Sequence, residues 1–222
     1  MKFSYSTHKP FKIESGRINV IATDNQVVYK DLILGLKDQN ELLKVFNDDL
    51  DLVEISKAFD WLGDLMIQKD INKRYMPEIV KKLFSSMPAQ QRNRIHEATT
   101  NLDNAIQESL YLANLPVKVT YDFDLKKAMK FTDAHINQKI LDDPCDIIKT
   151  VIRIHEMCDL KSCLAICNVA HYILTDQIKE LSEFLQDVNQ SILLIEFTDM
   201  SQSNFYSDCN FYYIDKDFVD WY

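Results

Sequence analysis

Two aspartates stand two residues apart in Tyr121-Asp122-Phe123-Asp124, just ahead of the helix expected to open at Leu125. Carboxylates at that spacing, at the end of a strand, can reach one hard cation. Calcium takes oxygen ligands and accepts loop carbonyls and water for the rest of its shell. The same pair also reads as a helix N-cap beside a surface acid, because no EF-hand pattern surrounds it. A second grouping is basic. Lys69 to Arg94 holds seven basic residues and two acids, whereas Thr175 to Tyr222 holds two lysines and ten acids. The whole chain carries −9. Such asymmetry permits a polyanion site on an otherwise acidic protein, and a solvated helix face is the plainer reading.

Other chemistry-bearing residues are scattered. His8, His96, His135, His155 and His171 form no metal spacing. His155-Glu156 lies on a mostly apolar helix without H-E-x-x-H, so it reads as a satisfied core edge. His171 follows a core strand, where α/β folds place ligands. It lacks a nucleophile motif such as G-x-S-x-G. Cys163 and Cys167 share one face of that strand and read as small core hydrophobes rather than zinc ligands. The only glycines are Gly16, Gly35 and Gly63. Neither G-x-G-x-x-G nor G-x-x-x-x-G-K-[ST] can be written from them, so nucleotide-dependent chemistry is not expected. No charged-then-apolar leader opens the chain and no apolar run nears membrane-spanning length, so a cytoplasmic protein without a membrane partner is expected.

The elements that position these residues centre on Leu160 to Phe197. Ser162–Asn168 and Ser191–Phe197 are continuous apolar runs of strand length. Between them Ile178, Leu181, Leu185 and Val188 recur at helical spacing after Thr175, a candidate N-cap. Strands without polar alternation are covered on both faces, the habit of parallel sheets, so this is a βαβ unit. Ahead of it, Lys2–Ser6 and Phe11–Glu14 read as strands, with Ile18–Ala22 returning as a hairpin through Gly16. Asp24 is a candidate cap for a helix to about Lys37. Leu42–Phe46 reads as a strand, and Val53–Leu62 is ambiguous between strand and helix, leaning to strand. Two amphipathic helices follow, one carrying Met76, Ile79, Val80, Leu83, Phe84 and Met87, the other opening at Pro88 with Ile95, Ala98, Leu102, Ala105, Ile106 and Leu110. Pro77 suits a first helical turn. Val117–Tyr121 reads as a strand, Leu125–Ile136 as a helix capped by Asp124, Asp146–Cys158 as a helix opened by Asp143-Pro144, and Phe211–Ile214 as a strand. The expected fold is α/β: a head of mostly parallel sheet with a βαβ core over 1–68 and 115–222, and a projecting helical hairpin, or leg, over 69–114.

Six segments, in this order, resemble a known family: FKIESGRINVIATDNQVVYKDLI, FDWLGDLM, VTYDFD, LKSCLAICNVAHYILTDQIKEL, SILLIEF and YYIDKDF. The family is the small ring-forming adaptation protein of type II-A CRISPR systems. Between Asn168 and Thr175 the chain departs from it, lacking the turn glycine expected there. The resemblance implies an α/β head with a helical leg, a homotetrameric ring with a central hole, and calcium supporting the ring. It implies binding of double-stranded DNA ends without sequence preference during spacer acquisition. The protein would be an accessory factor and not a nuclease, working with other CRISPR adaptation proteins and the RNA-guided effector nuclease. It places Asp122 and Asp124 in the calcium segment. The basic candidates for DNA are then Lys73, Arg74, Lys81 and Lys82 on the first hairpin helix, and Lys126, Lys127 and Lys130 beside the acids. Two other classes stay open: an α/β enzyme using the loops after Asn168 and Phe197, and a protein-interaction module built on the helical hairpin.

Overall fold

The computed structural model describes residues 1–67, 70–119 and 124–222; the side chains of Leu125, Lys126 and Gln138 are also outside the described set. The chain opens with β1 (Lys2–Tyr5) and β2 (Phe11–Lys12), an antiparallel pair. β3 (Ile18–Thr23) is buried at all its positions, as a continuous apolar run should be when both its faces are covered. It does not return as a hairpin strand. It runs parallel to two later strands in a different sheet. Helix α1 (Gln26–Leu36) starts one residue later than Asp24 would place it. Asn25 is its cap, accepting the Val27 amide at 2.9 Å.

β4 (Leu43–Phe46) and β5 (Leu52–Val53) complete a small antiparallel sheet in the order β2-β1-β4-β5. The ambiguous stretch holds both structures: a one-turn helix α2 (Ile55–Ala58), then β6 (Phe59–Asp64). Two long helices follow, α3 (Ile71–Ser86) and α4 (Ala89–Leu112), with Pro88 as the cap of the second. Pro77 lies inside α3, well past its first turn, so it cannot donate to the Lys73 carbonyl. Val117–Val119 form no strand, and Thr120 and Tyr121 lie outside the described residues. α5 is shorter than the sequence pattern suggests, ending at Phe131 (Leu125–Phe131).

α6 (Pro144–Met157) has Asp143 as its cap and Pro144 in its first turn, where a missing N–H costs nothing. β7 (Cys163–Cys167), α7 (Thr175–Val188), β8 (Ile192–Phe197), β9 (Asn210–Ile214) and a short β10 (Asp220–Trp221) finish the chain. Thr175 is the first residue of α7 rather than its cap; the Gln177 side chain accepts the Leu174 amide at 2.9 Å instead. The large sheet has the order β10-β9-β3-β8-β7-β6, parallel from β9 through β6 with only β10 antiparallel. This is a mixed α/β fold.

The core beneath the small sheet and α1 is aromatic and aliphatic, with Phe3, Phe11, Phe59, Tyr212, Leu32 and Val45 buried together. Cys163 and Cys167 are buried in β7, and burial pushes their thiols up to about 12 and about 11. Thiols held that far from ionising act as packing groups. His155 on α6 is 2 % exposed; its Nε2 sits 2.8 Å from the Asp60 carboxylate and its Nδ1 3.1 Å from the Ser162 carbonyl. It is the satisfied core edge that its apolar surroundings suggest. The chain divides into two compact units. One comprises Met1–Asp70 with Asn137–Tyr222, the other Ile71–Ile136, which runs past the two long helices to take in α5.

Candidate nucleic-acid interface

Within the helical unit, Ile71, Tyr75 and Val80 anchor α3 by their burial. The Asn72 side chain accepts the Ile136 amide at 2.6 Å, closing the end of the unit onto its beginning. A helix advances about 100° per residue, so Lys73, Met76, Pro77 and Val80 share one face. These four line a cavity of about 440 Å3 with Met129, Lys130, Asp133 and Ala134 from α5 and the turn after it. Lys73 and Lys130, from two separate basic groups in the sequence, are thus brought to one opening. Arg74 and Lys81 share a different face by the same geometry. Lys81 stands 3.6 Å from Glu78, an exposed pair that contributes little to stability. Lys82 falls on the side of the helix away from the cavity stripe. Lys127 is exposed on α5. The Lys126 side chain lies outside the described residues.

Asp124 sits directly before α5, and its carbonyl accepts the Ala128 amide at 3.0 Å, the first bond of that helix. It therefore occupies the N-cap position. Asp122 lies outside the described residues. The carboxylate of Asp124 is a suitable donor type for calcium, but calcium takes about six to eight oxygens. Among the described residues no group of three or more His, Cys, Asp or Glu side chains is disposed to hold a metal.

α5 also borders a second cavity, with Ala128, Phe131 and Thr132 facing Ile95, Ala98 and Leu102 of α4. The apolar stripe of α4 is nevertheless open: none of its residues is buried, and Leu102 and Ile106 are 40 % and 42 % exposed.

A polar cluster lies in the other unit, at the carboxyl ends of the parallel strands. Asn168, in a left-handed conformation (φ 62°), accepts from the Tyr29 hydroxyl at 2.8 Å and donates to Asp64 at 3.0 Å. Glu196, the one charged residue of β8, is 1 % exposed and accepts the Val169 amide at 2.8 Å. Burial pushes its carboxyl up to about 7, partly opposed by the Val169 and Ala170 amides and by the neighbouring Tyr206 hydroxyl, and aided by Asp64. His171 is exposed beside this cluster. Sequence reasoning singled out His171 and the loops there but not Tyr29, Asp64 or Glu196. The signal was present in SILLIEF, where a single acid interrupts a run covered on both faces.

Together these features define a mixed α/β protein with a helical unit that carries a basic, apolar-walled cavity. No known family model matches the chain, and no curated protein is similar to it in sequence. Its fold is similar to that of a solved structure, Stu0660 of Streptococcus thermophilus, with a TM-score of 0.56 at 12% identity, covering 100% of this chain and 76% of that one. At that identity the likeness is one of fold. No helix among the described residues is long and apolar enough to cross a membrane.

Proposed function

We propose that this chain is an accessory protein of CRISPR spacer acquisition that binds double-stranded DNA ends, and that it works as a calcium-supported homotetrameric ring threaded by linear DNA. It has no nuclease activity in this reading, acts in the cytoplasm, and meets other CRISPR adaptation proteins and the RNA-guided effector nuclease there. The observation that carries it is the meeting of Lys73 and Lys130 at one cavity mouth on an otherwise acidic protein. Phosphate contacts alone suffice for binding without sequence preference. The ordered family-like segments support the reading, as does a likeness of fold that covers the whole chain. The uncovered stripe of α4 supports self-assembly, since a 24-residue amphipathic helix gains stability by burying its apolar face.

A closed ring makes a topological demand. One plasmid, relaxed and circular or linearised, is expected to bind only in the linear form, because a circle cannot be threaded without opening the assembly. Equal affinity for both forms removes the ring. Calcium enters through mass action: a metal that binds only the assembled species raises its stability as concentration rises. Light scattering and thermal melting are expected to respond to calcium and to chelator in the wild type, and to lose that response in Asp122→Ala/Asp124→Ala. An unchanged response in the double variant assigns the ligands elsewhere.

The polar cluster at the strand ends does not favour an enzyme over this reading. Asn168 and Glu196 are tied to Tyr29, Asp64 and the Val169 amide, which are structural engagements.

A further inference from the structure

We propose that the cavity between α3 and α5 receives an unpaired terminal base of the DNA, with Lys73 and Lys130 holding the phosphates on either side of it. The inference rests on the DNA-end reading and gives that reading a structural reason to prefer ends. A surface that offers only ammonium groups binds phosphates anywhere along a duplex. It cannot tell an end from the middle. The cavity offers something a stacked interior base pair cannot use.

Its walls are apolar: Met76, Pro77, Val80, Met129 and Ala134. Two of these are methionines, whose unbranched, polarizable side chains adapt to irregular flat surfaces. The volume of about 440 Å3 falls in the range of roughly 300–1,000 Å3 typical of small-ligand sites. The charged groups at the same opening are Lys73, Lys130 and Asp133, so the opening is net cationic. Two cations on two different helices suit two successive phosphates flanking one flat apolar ring. A fatty acid presents a single carboxylate, whereas a nucleotide chain carries a phosphate on each side of a base. Asp133 adds an acceptor for the exocyclic amino group of a base. The cost of taking a base out of the stack is least when it is already single-stranded. Only a frayed or overhanging terminus meets that condition in duplex DNA.

The experiment uses the full-length protein and short duplexes that are either blunt or carry a short single-stranded end, at one fixed salt concentration. 2-Aminopurine is placed at the terminal unpaired position or inside the duplex. The overhang duplex is expected to bind about tenfold more tightly than the blunt one, as partial burial of a base ring against aliphatic side chains warrants. Emission from terminal 2-aminopurine is expected to change on binding, and emission from the internal position to stay constant. Met129→Gln adds polarity among the walls without charge and is expected to abolish the preference, read as the ratio of overhang to blunt affinity. Met129→Ser serves the same purpose if the glutamine variant fails to fold. Lys73→Gln and Lys130→Gln are expected to weaken both duplexes. Equal affinity for blunt and overhanging DNA, with salt-dependent binding of both, overturns the cavity proposal and leaves the DNA reading intact. So does a preference that survives in the Met129 variants. Failure of either duplex to bind at low salt overturns both readings.

Discussion

Affinity for linear duplex DNA will fall by about three to five decades between 50 and 200 mM salt, the loss expected when roughly six to ten phosphates are neutralised and their counterions released. The steepness follows from a conflict of charges. The protein as a whole carries −9 and repels DNA at long range, while the helical unit concentrates lysine and arginine. Binding then depends on close contacts, and salt acts on those directly. Replacing one phosphate-contacting lysine weakens all sequences alike and lowers the slope by about one. Lys73→Gln and Lys130→Gln should each do this. Fluorescence anisotropy over a salt series measures both quantities. A flat salt response, or identical slopes for the Lys73 variant and the wild type, would sink the assignment of these residues to phosphate.

The second large effect concerns stability and pH, and it lies in the other unit. Glu196 has its carboxyl raised from an ordinary 4.5 to about 7, burial being the chief cause. A group whose pKa is higher in the folded state binds its proton more tightly there. Its contribution to stability is fully present below the unfolded value, declines as pH rises from about 4.5, and is lost above about 7. The difference corresponds to about 3 kcal/mol, since each tenfold change in proton affinity is worth about 1.4 kcal/mol. Glu196→Gln keeps an acceptor for the Val169 amide and cannot ionise. The variant should match the wild type near pH 4 and exceed it by up to about 3 kcal/mol at pH 8. Denaturant unfolding of both proteins at the two pH values reads this directly. The same wild-type-to-variant difference at both would mean that Glu196 does not titrate in this range.

Much of the larger sheet is visible in the residues. Cys163–Cys167 and Ile192–Phe197 announce themselves as strands covered on both faces, with α7 between them by its apolar spacing. β3 has the same continuous character, and that argues against the two-faced hairpin strand suggested by the turn before it. The local turn chemistry at Gly16 competed with the burial pattern, and burial won. The small antiparallel sheet was harder to see. β5 is two residues long, too short for alternation to register, and the pairing that joins the two ends of the sheet, β1 with β4, is long-range, Lys2 lying opposite Phe46. Pro77 misled because proline suits a first turn locally, whereas the burial of Ile71 and Tyr75 holds the preceding turn helical.

The candidate site was less legible. The lysines could be named one by one, yet nothing in their spacing showed that Lys73 would stand with Lys130, more than fifty residues on, at the same opening. That juxtaposition depends on α5 packing against α3. Asp64 likewise influences Glu196 only because β6 and β8, two strands apart in one sheet, both end on the same side of it.

The connection between β6 and β7 has a modular consequence. These two strands are parallel neighbours, and α6 by itself is the crossover they require. The whole of Ile71–Ile136 is spliced into that crossover ahead of α6. Among the described residues, no strand pairing of the sheet involves the spliced segment. A lineage can lengthen, re-charge or exchange that cassette while the surrounding scaffold stays in register. The residues proposed to meet DNA and the strands that carry the sheet therefore lie in separate segments of the chain.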